Sequence, residues 1–323
     1  KKTISQCMIV KNEEKNIRRA LSWGKDIMCE QIVVDTGSSD RTVEIAREMG
    51  AKIFFFPWIN DFAAAKNFAI DQAKGDWIAF LDADESFTPE DTKKIPEILE
   101  YVGDDVDGLL TGIVDLDENN NITSGGTMIR FFVNRPDLRY VGKIHEHLVR
   151  KGRSGLHLTD ATKQLAFLHT GYQEQEKRDK SKFERNLNII LEILKQEPEN
   201  CDYLGYLGDT YSSDGKNEEA RDAYKKAVAA MPEKLEVYDQ RSSYTYTNLL
   251  RVSQCLNAPE AEVEAIYKEA VEKLPKEPDF DCVMGDWYWR KGQYEKAVQM
   301  YELAIAKLET YGTVNRGIIT TSM

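Results

Sequence analysis

The stretch "WIAFLDADES", residues 77–86, runs from an apolar strand straight into three carboxylates, Asp82, Asp84 and Glu85. Carboxylates this close repel and raise one another's pKa unless a cation sits among them. The cluster is therefore either a solvated acidic turn or a place built for a metal ion, and the segments around it have to decide.

Working outward, strand-like and helix-like segments alternate. "TISQCMIV" (3–10) is apolar and β-branched, and "NEEKNIRRALSW" (12–23) sets Ile17, Ala20 and Leu21 at helical spacing. "EQIVVDTGSSD" (30–40) predicts a buried strand and a Gly/Ser turn, with Ser39 or Asp40 placed to cap the helix "RTVEIAREMG" that Gly50 closes. "AKIFFFP" is the third strand, "DFAAAKNFAIDQAKG" the next helix, and "DWIAFLDADE" the fourth strand. Strands separated by helices of this length imply a parallel, doubly wound sheet, in which ligands bind beyond the carboxyl ends of the strands. Lys11 to Glu13, Asp35 to Ser38, Trp58 to Asp61 and Asp82 to Glu85 all follow strand ends and are expected to converge on one cleft.

From about 105 to 170 the pattern turns irregular, with "DGLLTGIV", "TMIRFFVN" and "QLAFLHTGY" predicting a second sheet region that closes the site. After about residue 172 it is almost wholly helical. Leu204, Leu207, Gly208, Tyr211, Gly215, Ala220, Tyr224, Ala227 and Pro232 follow the tetratricopeptide pattern, which recurs through Gly285, Tyr288, Gly292, Ala297, Tyr301 and Ala304. Pro198 and Pro232 lie one 34-residue period apart, whereas Pro275 lies 43 further on, so the middle repeat (244–275) is expected to carry an insertion or a longer helix. Small residues there let paired helices approach, and aromatics fill the gap to the next repeat.

Composition bounds the partners. A net charge of -12 on 323 residues argues against nonspecific binding to nucleic acid or an anionic membrane, because the long-range field repels phosphate. Any nucleotide ligand needs local cations or a metal. Five scattered cysteines with no C-x-x-C suggest neither a disulfide framework nor a zinc knuckle, and a reducing, cytoplasmic setting is expected. No apolar run approaches the roughly 20 residues that cross a bilayer. The chain opens almost directly on its first strand, which leaves room for a segment upstream of Lys1.

Taken together, "MIVKNEE", "IVVDTGSSDRTVEIA", "DFAAAKNFAI" and "DWIAFLDADE" resemble the family 2 glycosyltransferases of the GT-A fold, which use a nucleotide-diphosphate sugar. The likeness covers residues 3–86 closely and 87–171 loosely, and the fusion to tetratricopeptide helices resembles the bacterial subgroup containing the glycosyltransferases of bacteriocin peptides. It implies an α/β GT-A domain over 1–171 followed by an all-α repeat domain over 172–323.

The residues suit such a site. A D-x-D at a strand end puts hard oxygen ligands where Mg²⁺ or Mn²⁺ bridges them to a diphosphate. Asp84 is the preferred direct ligand; Asp82, with Ala83, is assigned to the ribose or a metal-bound water, and Glu85 to a helix start or a sugar contact. Val10, Lys11, Asn12 and Glu13 resemble the family segment that holds base and ribose, although Asn12 and Glu13 also suit a helix cap. Asp35 resembles the uracil-contacting acid, and read alone it is a turn acid before Thr36 and Gly37. Lys66 stands where many relatives have Arg and approaches base or phosphate, or is a solvated helix lysine. His169, rather than His145, suits a metal ligand, and a satisfied core or surface histidine is the plain alternative. Glu146, flanked by two histidines, is the expected base of an inverting transfer. Trp58 and Asp61 are expected to pack against and hydrogen bond the donor sugar, unless Trp58 is core.

The favoured reading is a hexose or N-acetylhexosamine transferred from a UDP-sugar to a hydroxyl or thiol, with the repeats offering a peptide or protein groove or a homodimer interface. A cell-surface glycan acceptor, a repeat scaffold with an idle α/β half, and nucleotidyl transfer are the competing readings. The last expects a glycine-rich basic loop, of which "DTGSSDR" is a poor version.

Overall fold

A computed structural model of the chain describes residues 1–170, 175–236 and 239–311. It divides into two compact units, the first beginning at Lys1 and running to Lys177, the second beginning at Arg178.

The first unit opens with β1 (Ile4–Val10), α1 (Ile17–Ser22), β2 (Glu30–Asp35), α2 (Thr42–Glu48), β3 (Lys52–Phe55), α3 (Phe62–Asp71) and β4 (Trp77–Phe80). Strands β3, β2, β1 and β4 lie side by side in that order, all parallel. Alternating side chains divide between the two faces of this sheet. Cys7, Ile32, Val34, Ile78 and Phe80 pack with Ala63, Ala69 and Ile70 of α3. Met8, Val10 and Val33 pack with Ile17, Ala20 and Leu21 of α1 and Ile45 and Ala46 of α2. Period-two strands covered on both faces by helices are what the β-α alternation predicts.

Two local expectations change. The first helix begins at Ile17 rather than Asn12, because Asn12 has a left-handed backbone (φ 58°) and residues 11–16 form a loop bonded to the next one. Arg41, not Ser39 or Asp40, is the first cap residue of α2, but Asp40 still accepts the Thr42 N–H at 3.0 Å.

Beyond β4 come β5 (Glu85–Phe87), α4 (Pro89–Tyr101), β6 (Gly108–Leu116), β7 (Ile122–Val133), β8 (Leu138–Val141), β9 (His147–Arg150), β10 (Leu158–Asp160) and β11 (Ala166–His169). The second sheet region expected here is instead a continuation of the first: β4 pairs with β7, β7 with β6, β6 with β11, and β11 with β5. Phe131 and Phe132 in β7 carry the core across this join, one toward Trp77, Leu109 and Phe167 and the other toward Phe80 and Tyr140. Among the described residues, β8 and β9 form a separate two-stranded ribbon. Glu85 lies in β5 and starts no helix; α4 begins at Pro89, where Thr88 caps it by accepting the Asp91 N–H at 3.2 Å.

The second unit is helical: α5 (Gln175–Gln196), α6 (Cys201–Ser213), α7 (Asn217–Ala230), α8 (Gln240–Cys255), α9 (Glu260–Lys273), α10 (Asp279–Arg290) and α11 (Tyr294–Tyr311). A Cβ on Gly208 would sit 2.4 Å from the Tyr224 ring, and one on Gly285 would sit 2.6 Å from the Tyr301 ring. These glycines are therefore what lets each aromatic lie flat in its helix pair. The middle repeat has a longer first helix: α8 has 16 residues against 13 in α6 and 12 in α10.

Candidate active site

The ends of β1 and β2 are aligned, with Val10 opposite Asp35, and the loops beyond them are bonded together. Val10 C=O accepts both the N–H and the hydroxyl of Thr36, at 2.9 and 3.0 Å. The left-handed turn at Asn12 aims its amide oxygen at the Ser39 N–H, 2.8 Å away, while its own N–H donates to Ser38 Oγ at 2.9 Å. The Glu13 N–H donates to Thr42 Oγ1 at 2.7 Å. Lys11 and Asn12 are exposed beside this seam, and Glu13 is half-buried. Asp35 is buried, and its carboxylate accepts the Gly37 N–H at 3.1 Å and the Ser38 N–H at 3.1 and 3.2 Å. It thus forms the turn read as the plain alternative. With up to four acceptor sites, a carboxylate so held retains capacity for one more donor.

After β4 the two aspartates of the D-A-D segment face different partners, because Ala83 between them turns its methyl into the core with Met8, Val10 and Val33. Asp84 Oδ2 lies 3.5 Å from His169 Nε2, and the other ring nitrogen of His169 is 2.8 Å from Asp115 Oδ1. Strand register creates this meeting. β11 runs between β5 and β6, so His169 stands opposite Glu85 on one side and Asp115 on the other. Thr170 ties the same corner down by donating its N–H and its hydroxyl to Asp84 C=O, each at 3.1 Å, and Arg19 donates to that hydroxyl at 2.6 Å. The bond to Asp84 raises the imidazole pKa, burial opposes it, and the bond to Asp115 adds to the rise, leaving it at about 9.

Asp82 is the more open of the pair, with 43% of its side chain exposed, and its carboxylate faces buried cations. Arg130, from β7, lies 3.3 Å from Asp82 Oδ2 and bonds to the buried Glu85, whose other oxygen accepts the Asp82 N–H at 3.0 Å. Burial pushes the Glu85 carboxyl up, and the Arg130 charge opposes that rise. Lys66, on α3, is buried between the rings of Phe80 and Tyr140, and its ammonium bonds to Glu146 at 2.6 Å. Burial alone would lower its pKa, but Asp82, Tyr140 and Glu146 outweigh burial and raise it. Lys66 is therefore not a solvated helix lysine. Glu146 reaches it because Asn67 and Tyr140 exchange two 2.9 Å bonds that dock β8 on α3 and bring the β8–β9 loop alongside.

Trp58 is half-buried with its ring edge-on to Phe62 at 4.7 Å, and Asp61 caps α3 by accepting the Ala64 N–H at 2.8 Å. Arg130 and Asp115 were not singled out from the sequence. The signal for Arg130 was an isolated charge in the apolar run "MIRFFV", which demands a buried partner. Asp115 sits in a run of hairpin acids and carried no such mark.

The donor set tests whether a divalent cation fits. Asp84 Oδ2 and His169 Nε2 are 3.5 Å apart, a few tenths beyond the roughly 3 Å between adjacent ligands on an octahedral ion with bonds of about 2.1 Å. Among the described residues no group of three or more His, Cys, Asp and Glu is set to hold a metal. The one carboxylate and one imidazole would leave an ion's other positions to diphosphate and water.

The Glycosyl transferase family 2 model matches residues 5–153, and tetratricopeptide repeat models match 203–233 and 283–312. Residues 5–153 thus form a glycosyl transferase family 2 domain, and tetratricopeptide repeats follow it over 203–233 and 283–312. It is 33% identical over 231 residues to the prophage-derived glycosyltransferase SunS of Bacillus subtilis, covering 70% of this chain and 53% of the relative. It is also 33% identical over 218 residues to a TPR repeat-containing protein of Synechococcus elongatus, covering 66% of this chain and 53% of that protein. The chain thus spans about half the length of the curated relatives it matches. Among solved structures, S. aureus TarS is 15% identical with a TM-score of 0.45, over 82% of this chain and 54% of that one. Within the transferase domain, all four strand-end motifs and the Arg130 cluster fall inside the matched span, whereas His169 lies beyond it. No helix among the described residues is long and apolar enough to cross a membrane.

Proposed function

We propose that the chain transfers a hexose or N-acetylhexosamine from a UDP-sugar to a hydroxyl or thiol of a peptide or protein, with inversion and with Mg²⁺ or Mn²⁺ at the donor site. The observation that carries this reading is the division of the D-A-D pair, with Asp84 beside a histidine and Asp82 beside buried cations. Asp84 and His169 would hold the ion, which would supply positive charge against the departing diphosphate. Val10 to Glu13 frame the base and ribose, with Asp35 accepting the imide N–H of uracil. Asp82 orients the ribose or an ion-bound water, and the backbone of Ala83 lines the same edge. Trp58 and Asp61 flank the sugar.

Glu146 is the base of this scheme. Lys66 holds Oε1 of its carboxylate, which leaves Oε2 to take the acceptor proton. The acceptor oxygen or sulfur then bonds to C1 of the sugar from the face opposite UDP, and UDP leaves with the electrons of the broken C1–O bond. The repeats over 172–323 supply the acceptor groove or a homodimer interface, and the domain over 1–171 performs the transfer. Five unpaired cysteines suit a reducing, cytoplasmic setting. SunS, named a glycosyltransferase, supports the class of reaction.

The test is UDP release from a panel of UDP-sugars with Mn²⁺, with and without serine- and cysteine-containing peptides. One sugar stimulated by peptide, with turnover lost in Glu146→Gln and Asp84→Ala, is expected. Release unaffected by either substitution would remove the assignment.

A further inference from the structure

His169 makes two contacts of different kinds. Its Nδ1 lies 2.8 Å from Asp115 Oδ1, while its Nε2 faces Asp84. An ionised carboxylate only accepts hydrogen bonds, so Asp115 requires the proton on Nδ1. In a neutral imidazole the lone pair is then on Nε2. The carboxylate is itself fixed, since Ser124, its cross-strand neighbour in the β6–β7 hairpin, donates its hydroxyl to Asp115 Oδ2. A hydrogen-bonded chain therefore runs Ser124, Asp115, His169, with each member pinned by strand pairing: Asp115 opposite Ser124 in β7 and opposite His169 in β11.

We propose that Asp115 is a positioning residue of the donor site, fixing the tautomer and plane of the His169 ring so that Nε2 presents its lone pair beside Asp84 to a divalent cation. This rests on the reading above that Asp84 and His169 hold the ion. Carboxylates in this position make the imidazole a better ligand, and their loss typically weakens metal binding 10- to 100-fold. A plain hairpin staple would use the same bonds without affecting the metal, and the two roles separate by experiment.

Calorimetric titration of Mn²⁺ into protein saturated with UDP is performed on wild type, Asp115→Ala, Asp115→Asn, His169→Gln and the Asp115→Ala/His169→Gln pair. Asp115→Ala is expected to bind Mn²⁺ roughly 10- to 100-fold more weakly. Asp115→Asn, which keeps an acceptor oxygen, should fall between it and wild type. UDP affinity in chelator should not change, and the double variant should bind no more weakly than His169→Gln alone, because Asp115 acts only through the ring. Mn²⁺ affinity of Asp115→Ala within twofold of wild type would overturn the proposal, as would additive losses in the double variant. A readout needing no substitution is the ring's nitrogen NMR with Mg²⁺ and UDP bound: a proton on Nδ1 is expected, and one on Nε2 contradicts it. Absence of any Mn²⁺ binding by wild type with UDP would instead sink the donor-site reading, and this inference with it.

Discussion

Replacing Arg130 by Met tests whether the buried cation holds the D-A-D segment in place. Arg130 is 5% exposed and Glu85 3%, and they bond to each other, so the substitution strands a carboxylate in the core. Breaking a buried pair from one side typically costs about 3–5 kcal/mol, much of it the unpaired charge. At about 2–4 °C per kcal/mol for a unit of this size, the melting point of the sheet unit should drop by roughly 6–20 °C. The sign of the pH dependence follows from Glu85. Its folded pKa is raised by burial, and without Arg130 it rises further, so the native state favours the protonated form. Stability of the variant is then highest below the unfolded carboxyl pKa and is lost as pH rises through the folded one. Calorimetric unfolding across pH 4 to 8, with hydrogen exchange at β7 amides to isolate the sheet unit, reads both effects. Adding Glu85→Gln, which removes the charge and keeps an acceptor for the Asp82 N–H, should recover most of the loss. A loss below about 1 kcal/mol, or one that is flat with pH and not recovered by Glu85→Gln, would refute the reasoning.

Further outcomes follow from the same geometry. Metal-free protein should lose the stabilisation supplied by His169 as pH climbs from about 6.5 through about 9, since its raised pKa favours the folded, protonated form below that window; His169→Gln should flatten thermal melts over this range. Lys66→Met should cut sugar turnover sharply by unseating Glu146, and Lys66→Arg, which keeps the charge and stacks on aromatic faces, should retain more of it than Lys66→Met; single-turnover rates check both. Gly208→Ala should destabilise the helical unit by about 1–3 kcal/mol, because its Cβ meets the Tyr224 ring; urea unfolding measures the loss, and UDP binding should be unchanged. Asp35→Ala should lower the preference for UDP over CDP in competition binding, and unchanged preference would return Asp35 to its turn alone.

Much of the sheet unit is legible because local signals agree. Apolar strands ending in Asp35 or "LDAD" and helices with clear faces specify four strands of a parallel sheet, while their order β3-β2-β1-β4 is read from the structure. The glycine and aromatic positions mark the repeats, but the contacts of Gly208 with Tyr224 and of Gly285 with Tyr301, within one helix pair, are read from the structure. Pairing beyond β4 is less accessible, since β7 joins β4 across more than 40 residues and β11 inserts between β5 and β6. That same register brings Asp115 to His169, which no spacing rule anticipates. The start of α1 was hidden by Asn12, where a residue suited to a helix cap instead adopts a left-handed turn to bond Ser38 and Ser39. Glu85 misleads for a similar reason: its neighbours read as an acidic turn, but Arg130 draws it inward from a distant strand.

A metal-assisted uridine nucleotide site is proposed at the carboxyl edge of the sheet. Calorimetric titration of UDP, CDP, GDP and ADP, with and without Mn²⁺, into wild type and Asp84→Ala tests it most directly. Binding that prefers UDP, is strengthened by Mn²⁺ and loses that gain in Asp84→Ala is predicted. No nucleotide binding, or binding indifferent to both Mn²⁺ and Asp84, would contradict it.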